Sequence, residues 1–267
     1  MTSYRYPSES VVFWVTILLV IGVIVFTSAA TLCLSGLFIL VMFVLAYLMN
    51  RQHHMELMQD SMGVSSTSAP NLFQIITDCA KRLHPGRLEA FVTPKNELNA
   101  YTFGISDPKT VVIYSAVLQI MDEDEIAFVV GHEMGHIALG HTWLNTILGG
   151  IAGIPASYGA SAILALVFRS WNRMCEYSAD RAGVLACGKP DKAISALLKL
   201  VSGKKTLTQA DMGRLLQLVD QEDDSLAGQL NEMLSDHPMT IKRIEQIKKY
   251  IRTREYVDLA RHIQANA

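Results

Sequence analysis

The stretch "VVGHEMGHIALGH", residues 129–141, holds three of the eight histidines of this 267-residue chain, and one glutamate. Just upstream, Asp122-Glu123-Asp124-Glu125 leads into the apolar run "IAFVV". Asp122 is suited to cap a helix, with Glu125 three residues on to complete a capping box, and the acids favour the positive end of the helix dipole. A helix over 123–141 is predicted. On it, His132 and His136 stand about 400° apart around the axis, so they share one face. Both imidazoles can reach one ion at a zinc–nitrogen distance of about 2.0–2.1 Å. Glu133 is turned about 100° from His132, which sets its carboxylate beside the ion, where it can take a proton from an attacking water. The pattern H-E-x-x-H therefore supplies two ligands and a base. Solvated surface histidines are the bland alternative. The flanks argue against it, because a helix apolar nearly all round is buried, and buried His and Glu need partners.

A catalytic zinc site takes three protein ligands and keeps one position open. Leu139 and Thr142 stand where the extended metzincin pattern requires Gly and His, and His141 lies on a different face. The third ligand must come from elsewhere. "NRMCEYSADRAG" (172–183) places Glu176 and Asp180 four residues apart, on one face of a second helix. Glu176 is the candidate third ligand. Asp180 is the candidate to accept a hydrogen bond from a ligand histidine's far nitrogen and so fix its tautomer. One Zn2+ per chain is expected.

Composition bounds the rest. Half of the residues are hydrophobic and only 18% are charged, against about 25% in ordinary soluble domains, so part of the chain is expected in lipid. The net charge of −2 carries no basic footprint, which excludes nucleic acid as a partner. The four cysteines form no C-x-x-C pair. Val11 to Met49 is 39 residues without a charge. One spanning helix needs about 20 residues, so the run suits two, near 9–28 and 31–50. Residues 1–50 are therefore read as a transmembrane hairpin anchor, 51–69 as a linker and 70–267 as a zinc metallopeptidase domain. Arg5 and Arg51 flank the hairpin, which puts both ends, and the catalytic domain, in the cytoplasm. A second reading stays open: Arg5, an apolar stretch and Ser28-Ala29-Ala30 have the form of a cleaved signal peptide, which would leave 31–49 as the anchor.

Downstream, Pro70 to Leu83 reads as a helix with Leu72, Ile75, Ile76, Cys79 and Leu83 on one face. "LEAFVTP", "NAYTFG" and "TVVIYS" read as short strands of a small sheet. Helices are expected at about 171–187, 190–202, 208–219, 224–234 and 239–264. His53, His54, His84 and His262 carry no motif and read as surface residues. The fold class is α+β: a mainly helical zincin-type catalytic domain with a small β-sheet, preceded by the hairpin.

"VVGHEMGHIALGH", "EYSAD", "SDHP" near the end and "LNAYTFG" upstream together resemble the HtpX-type integral-membrane zinc metalloproteases, relatives of the CAAX prenyl proteases. The resemblance covers about 70–250. It implies His132, His136 and Glu176 as zinc ligands, Glu133 as catalytic base and Asp180 behind the ligands. It further implies that "NAYTFG" is an edge strand holding the substrate backbone, with Asn99 and Ala100 in contact, and that His237 stabilises the transition state. HtpX-type enzymes carry further membrane segments between the two zinc motifs. Here Trp143 to Phe168 is 26 uncharged residues interrupted by Gly149, Gly150, Gly153, Pro155 and Gly159. His136 before it and Glu176 after it must reach one ion, so it crosses a membrane zero times or twice, and two crossings need about 40 residues plus a turn. A non-spanning, Gly/Pro-broken helical hairpin is expected.

The expected protein is a membrane-anchored zinc metalloendopeptidase, an integral, multi-pass protein of the cell or inner membrane. Its partners are the lipid bilayer and polypeptide substrates, membrane or misfolded proteins in quality control. Two alternatives stand beside it: a CAAX-prenyl-type endoprotease, which uses many more membrane spans, and a non-catalytic zinc-stabilised scaffold, which would need no base at an open coordination position.

Overall fold

A computed structural model describes residues 4–30, 61–104, 107–142, 159–202 and 238–266, with isolated positions between 37 and 60. In chain order the elements are α1 (Glu9–Ala30), β1 (Met62–Gly63), α2 (Pro70–Leu83), β2 (Leu88–Thr93), β3 (Ala100–Phe103), β4 (Lys109–Tyr114), α3 (Ser115–Ile120), α4 (Glu123–Ala138), α5 (Gly159–Cys187), α6 (Pro190–Ser202), α7 (Pro238–Tyr250) and α8 (Arg254–Asn266). This is the expected mainly helical α+β arrangement.

The sheet has the order β1-β2-β4-β3. β2 and β4 run parallel, while β1 and β3 flank them antiparallel. The β-branched run Val111-Val112-Ile113 on the inner strand β4 is buried, as a strand covered on both faces requires. β3 is one edge. β1 lies in the stretch expected to be a linker, so part of 51–69 belongs to the sheet. Two residues with no apolar alternation gave no sequence signal for it.

α4 is the centre of the molecule. Asp122 and Glu125 form the capping box: the Glu125 amide donates to Asp122 (3.0 Å) and the Asp122 amide to Glu125 (2.8 Å). Glu125, fully buried, is neutralised by Lys199 of α6 at 2.6 Å. From Glu125 onward the helix is buried on almost every side. Its closest neighbour is α5, and glycine makes the approach possible. A Cβ on Gly131 would stand 2.3 Å from the Ala186 Cβ, and one on Gly135 would stand 2.6 Å from the Ala182 Cβ. Small residues spaced four apart on both helices bring the backbones together, and with them the motifs they carry.

One boundary differs from expectation. The helix expected over 239–264 is two helices, because Thr253 ends α7 and caps α8. Its hydroxyl donates to the Tyr250 carbonyl (2.6 Å) and accepts from the Tyr256 amide (3.2 Å). α5 starts at Gly159, earlier than expected. Residues 143–158, and the helices expected at 208–219 and 224–234, lie outside the described residues.

α1 lies antiparallel to α5: Ser8 meets Met174 (3.2 Å) and the Phe13 ring faces Trp171 (6.1 Å between centroids). Its other side leaves Val11, Trp14, Leu18, Val25 and Phe26 more than half exposed. Its backbone runs 22 residues with Glu9 as the only charge. Among the described residues no helix is long and apolar enough to cross a membrane; most of the expected second span, 31–50, lies outside the described residues.

Candidate metal centre and cleft

Crossing α4 against α5 brings His132, His136 and Glu176 together. The two histidine Nε2 atoms are 3.2 Å apart. Each lies 3.4 Å from a Glu176 carboxylate oxygen. Tetrahedral ligation at zinc–nitrogen distance would separate donor atoms by about 3.3 Å, so the triangle has the size of a shared cation's ligand set.

The outer atoms explain why the inner ones converge. His132 Nδ1 lies 3.0 Å from Asp180 Oδ1. A carboxylate only accepts, so in the neutral ring that nitrogen carries the proton and Nε2 keeps a lone pair; Arg243 Nη2, 3.2 Å from the same nitrogen, donates to Asp180 at 2.6 Å instead. His136 Nδ1 faces His141 Nδ1 at 3.0 Å. Two buried Nε2 lone pairs pointing at each other and at a carboxylate repel unless a proton or a metal cation lies between them. The donor set therefore fits a divalent cation of the zinc type, and these three residues are the ones able to hold it.

Charges around the triangle are heavily coupled. Arg243 of α7 grips Asp180 with two hydrogen bonds (2.8 and 2.6 Å) and reaches Glu176 at 3.2 Å. Burial alone would raise the Asp180 and Glu176 carboxyls, but the Arg243 guanidinium and His132 outweigh it and hold both below the usual carboxylate range. For His132, burial and Arg243 disfavour the imidazolium, but Asp180 and Glu176 outweigh them, so in an empty triangle Nε2 attracts a proton, the positive charge that a metal ion there would replace. Glu133, buried beside the triangle, is pushed up by burial more than the neighbouring histidines pull it down. His141 is driven down to about 2, by burial first, with neighbouring His136 and Arg5 acting in the same direction.

The triangle forms the floor of a cleft of about 380 Å³. Asn99, Ala100, Tyr101 and Thr102, at and along the edge strand β3, form one wall, and Leu200 and Arg243 contribute to the lining. Glu133 also lines the cleft. The structure thus gathers Asn99, Ala100, His132, Glu133, His136 and Glu176 at one cavity, with Asp180 behind it. His237 lies outside the described residues. His84 and His262 are exposed.

Three participants escaped the sequence reading. Arg243 sits on an amphipathic helix after His237-Pro238, where an arginine carries no signal of its own. His141 was set aside because it lies off the ligand face; it sits just past the end of α4, behind His136 rather than beside it. Glu9 reads as the polar start of an apolar helix, yet it is buried with its carboxylate 3.1 Å from His141 Nε2.

A helix bearing H-E-x-x-H, crossed by a helix bearing Glu and Asp four apart, under a cleft walled by an edge strand, is the arrangement of a metallopeptidase. Residues 66–251, well over half of the chain, match the model of peptidase family M48, and the chain belongs to that family. It is 25% identical over 214 residues to the plastoglobule-localized metallopeptidase 48 of Arabidopsis thaliana, covering 74% of this chain and 62% of that protein, so the chain spans less than two thirds of that relative's length. It is 25% identical over 217 residues to the protease HtpX homolog of Pseudarthrobacter chlorophenolicus (70% and 74%), and 26% identical over 215 residues to that of Aquifex aeolicus (67% and 71%). These likenesses place it among the HtpX-type members. Membership makes the chain a peptidase and implies a metal, typically zinc.

Proposed function

We propose that this chain is a membrane-anchored zinc endopeptidase that cleaves polypeptides close to a bilayer surface. The observation that carries the reading is the convergence of His132 Nε2, His136 Nε2 and Glu176 at 3.2–3.4 Å, with Glu133 beside them. His132, His136 and Glu176 would hold the zinc, one per chain. Bound there, zinc would supply Lewis-acid chemistry, acidifying water and polarising a carbonyl. Glu133 takes the proton of the attacking water and returns it to the leaving amine. Its burial suits this double task, since a carboxyl raised above its usual range takes up a proton more readily before passing it on. Asp180 orients His132, and Arg243 orients Asp180. His237 is assigned to the developing oxyanion by resemblance alone. An extended substrate adds to β3 through its main chain near Asn99 and Ala100, which gives affinity with broad sequence tolerance.

The anchor is assigned to residues 1–50, and 70–267, together with β1, to the peptidase domain. A stripe of exposed Val, Leu, Ile and Phe along α1 is unfavourable in water and favourable in lipid. The catalytic side is assigned to the cytoplasm, and the substrates to membrane or misfolded proteins. Detergent-purified protein should cleave an unfolded casein-type substrate, stop when a zinc chelator is added and recover with zinc. Cleavage that survives complete zinc removal would refute the reading.

A further inference from the structure

The second imidazole of the triangle has an outer shell made by the start of the first helix. If His136 gives its Nε2 lone pair to zinc, as the proposed function requires, its Nδ1 carries the proton. The acceptor facing it at 3.0 Å is His141 Nδ1. His141 must then hold its own proton on Nε2, and that atom points at Glu9 Oε1, 3.1 Å away. Only one assignment of protons satisfies every link. It runs from His136 through His141 to an ionised Glu9.

Glu9 is 1% exposed and His141 2% exposed. A buried carboxylate is unfavourable without partners, and Glu9 has three: His141, the paired guanidinium of Arg5 and the Ser178 hydroxyl. Arg5 is itself fastened to the end of α4, donating to the Leu139 carbonyl at 2.8 Å. Arg181 lies over the Tyr6 ring, 5.2 Å from its centroid, and the Tyr6 amide donates to Ser178 at 2.8 Å. The segment from Arg5 to Glu9 is thus built into the back of the site.

We propose that His141 and Glu9 are positioning residues for His136, so that docking of residues 5–9 and zinc affinity are linked. The inference rests on the zinc reading above. Its consequence is reciprocal: what loosens residues 5–9 weakens zinc, and zinc tightens their docking. Glu9, His141 and Cys175 also lie close enough to hold a second ion. The proton count opposes that use. An ion on His141 Nε2 would force a proton onto Nδ1, directly against the N–H of His136.

The test is zinc affinity of the full chain in detergent, read by competition with a chromophoric chelator, alongside thermal unfolding of the zinc-free protein. His141→Phe keeps the ring's bulk and removes the acceptor; it should weaken zinc about 10–100-fold. His141→Gln, whose carbonyl can accept from His136, should recover much of that loss. Glu9→Gln should weaken zinc toward the lower end of the range, and adding it to His141→Phe should weaken zinc no further, because Glu9 acts through His141. Phe13→Ala, in the same helix contact but off the proton path, should leave zinc affinity within about twofold while lowering the zinc-free unfolding midpoint. Parent-like affinity in Glu9→Gln and His141→Phe would overturn the proposal, as would equal losses in Phe13→Ala and Glu9→Gln, or a second zinc lost on Cys175→Ala. Should His141→Phe not fold, Glu9→Gln against Phe13→Ala decides alone. A parent that binds no zinc overturns this proposal and the proposed function together; a parent that binds zinc with unaffected variants overturns only this one.

Discussion

The two histidines of the candidate centre differ in where their support comes from. His132 is backed by Asp180 and Arg243 (3.0, 2.8 and 2.6 Å), all within the stretch that matches the family. His136 is backed by His141, Glu9 and Arg5, and the last two lie far upstream of that stretch. Both shells end in a carboxylate neutralised by an arginine, so the chemistry is the same: a ligand imidazole holds its tautomer because its far nitrogen donates to a buried acceptor. The direct link orients its ring through one hydrogen bond and the relay through two. The difference teaches that one histidine is held wholly from within the family-matching stretch, while the other also leans on the amino-terminal segment.

The largest expected effect lies between the two shells. Glu133 belongs to neither, so Glu133→Gln should leave zinc affinity near that of the parent while proteolysis falls about 10²–10⁴-fold. Turnover at the parent's rate would remove Glu133 as the base. Loss of zinc in this variant would mean that Glu133, rather than Glu176, completes the ligand set.

Next comes the comparison itself. Asp180→Ala removes the direct partner of His132 and frees Arg243 to draw Glu176 off the ligand triangle. It should weaken zinc by close to 100-fold, toward the top of the range for such partners, and by more than Glu9→Gln does. Chelator competition on both variants ranks the shells. A larger loss in Glu9→Gln would invert the order argued from the number of links.

Legibility followed local signal. The H-E-x-x-H spacing, the acidic cap before it and the Glu/Asp pair at 176 and 180 are all written within one or two helical turns, and the structure brings the first and the last of these together. Arg243 and Glu9 had no such signal. Each matters because a distant element delivers it to the back of the site, and a single charged residue on an amphipathic helix reads as solvated. β1 was invisible because two residues cannot show a period, and the break at Thr253 because one capping hydroxyl inside a periodic pattern is a weak mark. The glycines of the α4–α5 crossing were legible only as residues. Their use is in the contact they permit, which belongs to the pair of helices and not to either sequence.

That crossing sets the third prediction. The ligand triangle bridges α4 and α5, with both histidines on one helix and Glu176 on the other, so anything that separates these helices disturbs the two histidines together. Gly131→Ala places a Cβ 2.3 Å from the Ala186 Cβ, closer than any relaxed contact, and overpacking of this kind costs about 1–3 kcal/mol. The zinc-free unfolding midpoint should drop by several degrees. The paired change with Ala186→Gly should restore most of it. An unshifted midpoint in Gly131→Ala would show that the helices can part without cost, and the rigid geometry of the ligand triangle would go with it.

The smallest effect concerns the start of α4, remote from both shells, and it separates a loss of helix capping from a loss of charge. Partial burial pushes the Asp122 carboxyl up, but the Lys192 ammonium and the Glu125 amide outweigh it and leave the group below the usual carboxylate range. A depressed folded-state value means that the ionised form is the one folding favours. Its contribution is therefore complete above the unfolded value of about 3.9 and is lost as pH falls through the lower folded value. Asp122→Ala removes the cap and should cost about 1 kcal/mol near neutral pH. Asn caps nearly as well but does not titrate, so Asp122→Asn should lie near the parent at pH 7. Below about pH 4 the parent should lose stability toward Asp122→Asn, narrowing whatever gap remains. Urea unfolding of the three proteins at pH 7 and pH 3.5 measures this. A gap between parent and Asp122→Asn that widens in acid would show that the carboxylate is not the form the helix start favours. The zinc affinities of all three should agree at neutral pH, because this end of α4 touches neither shell.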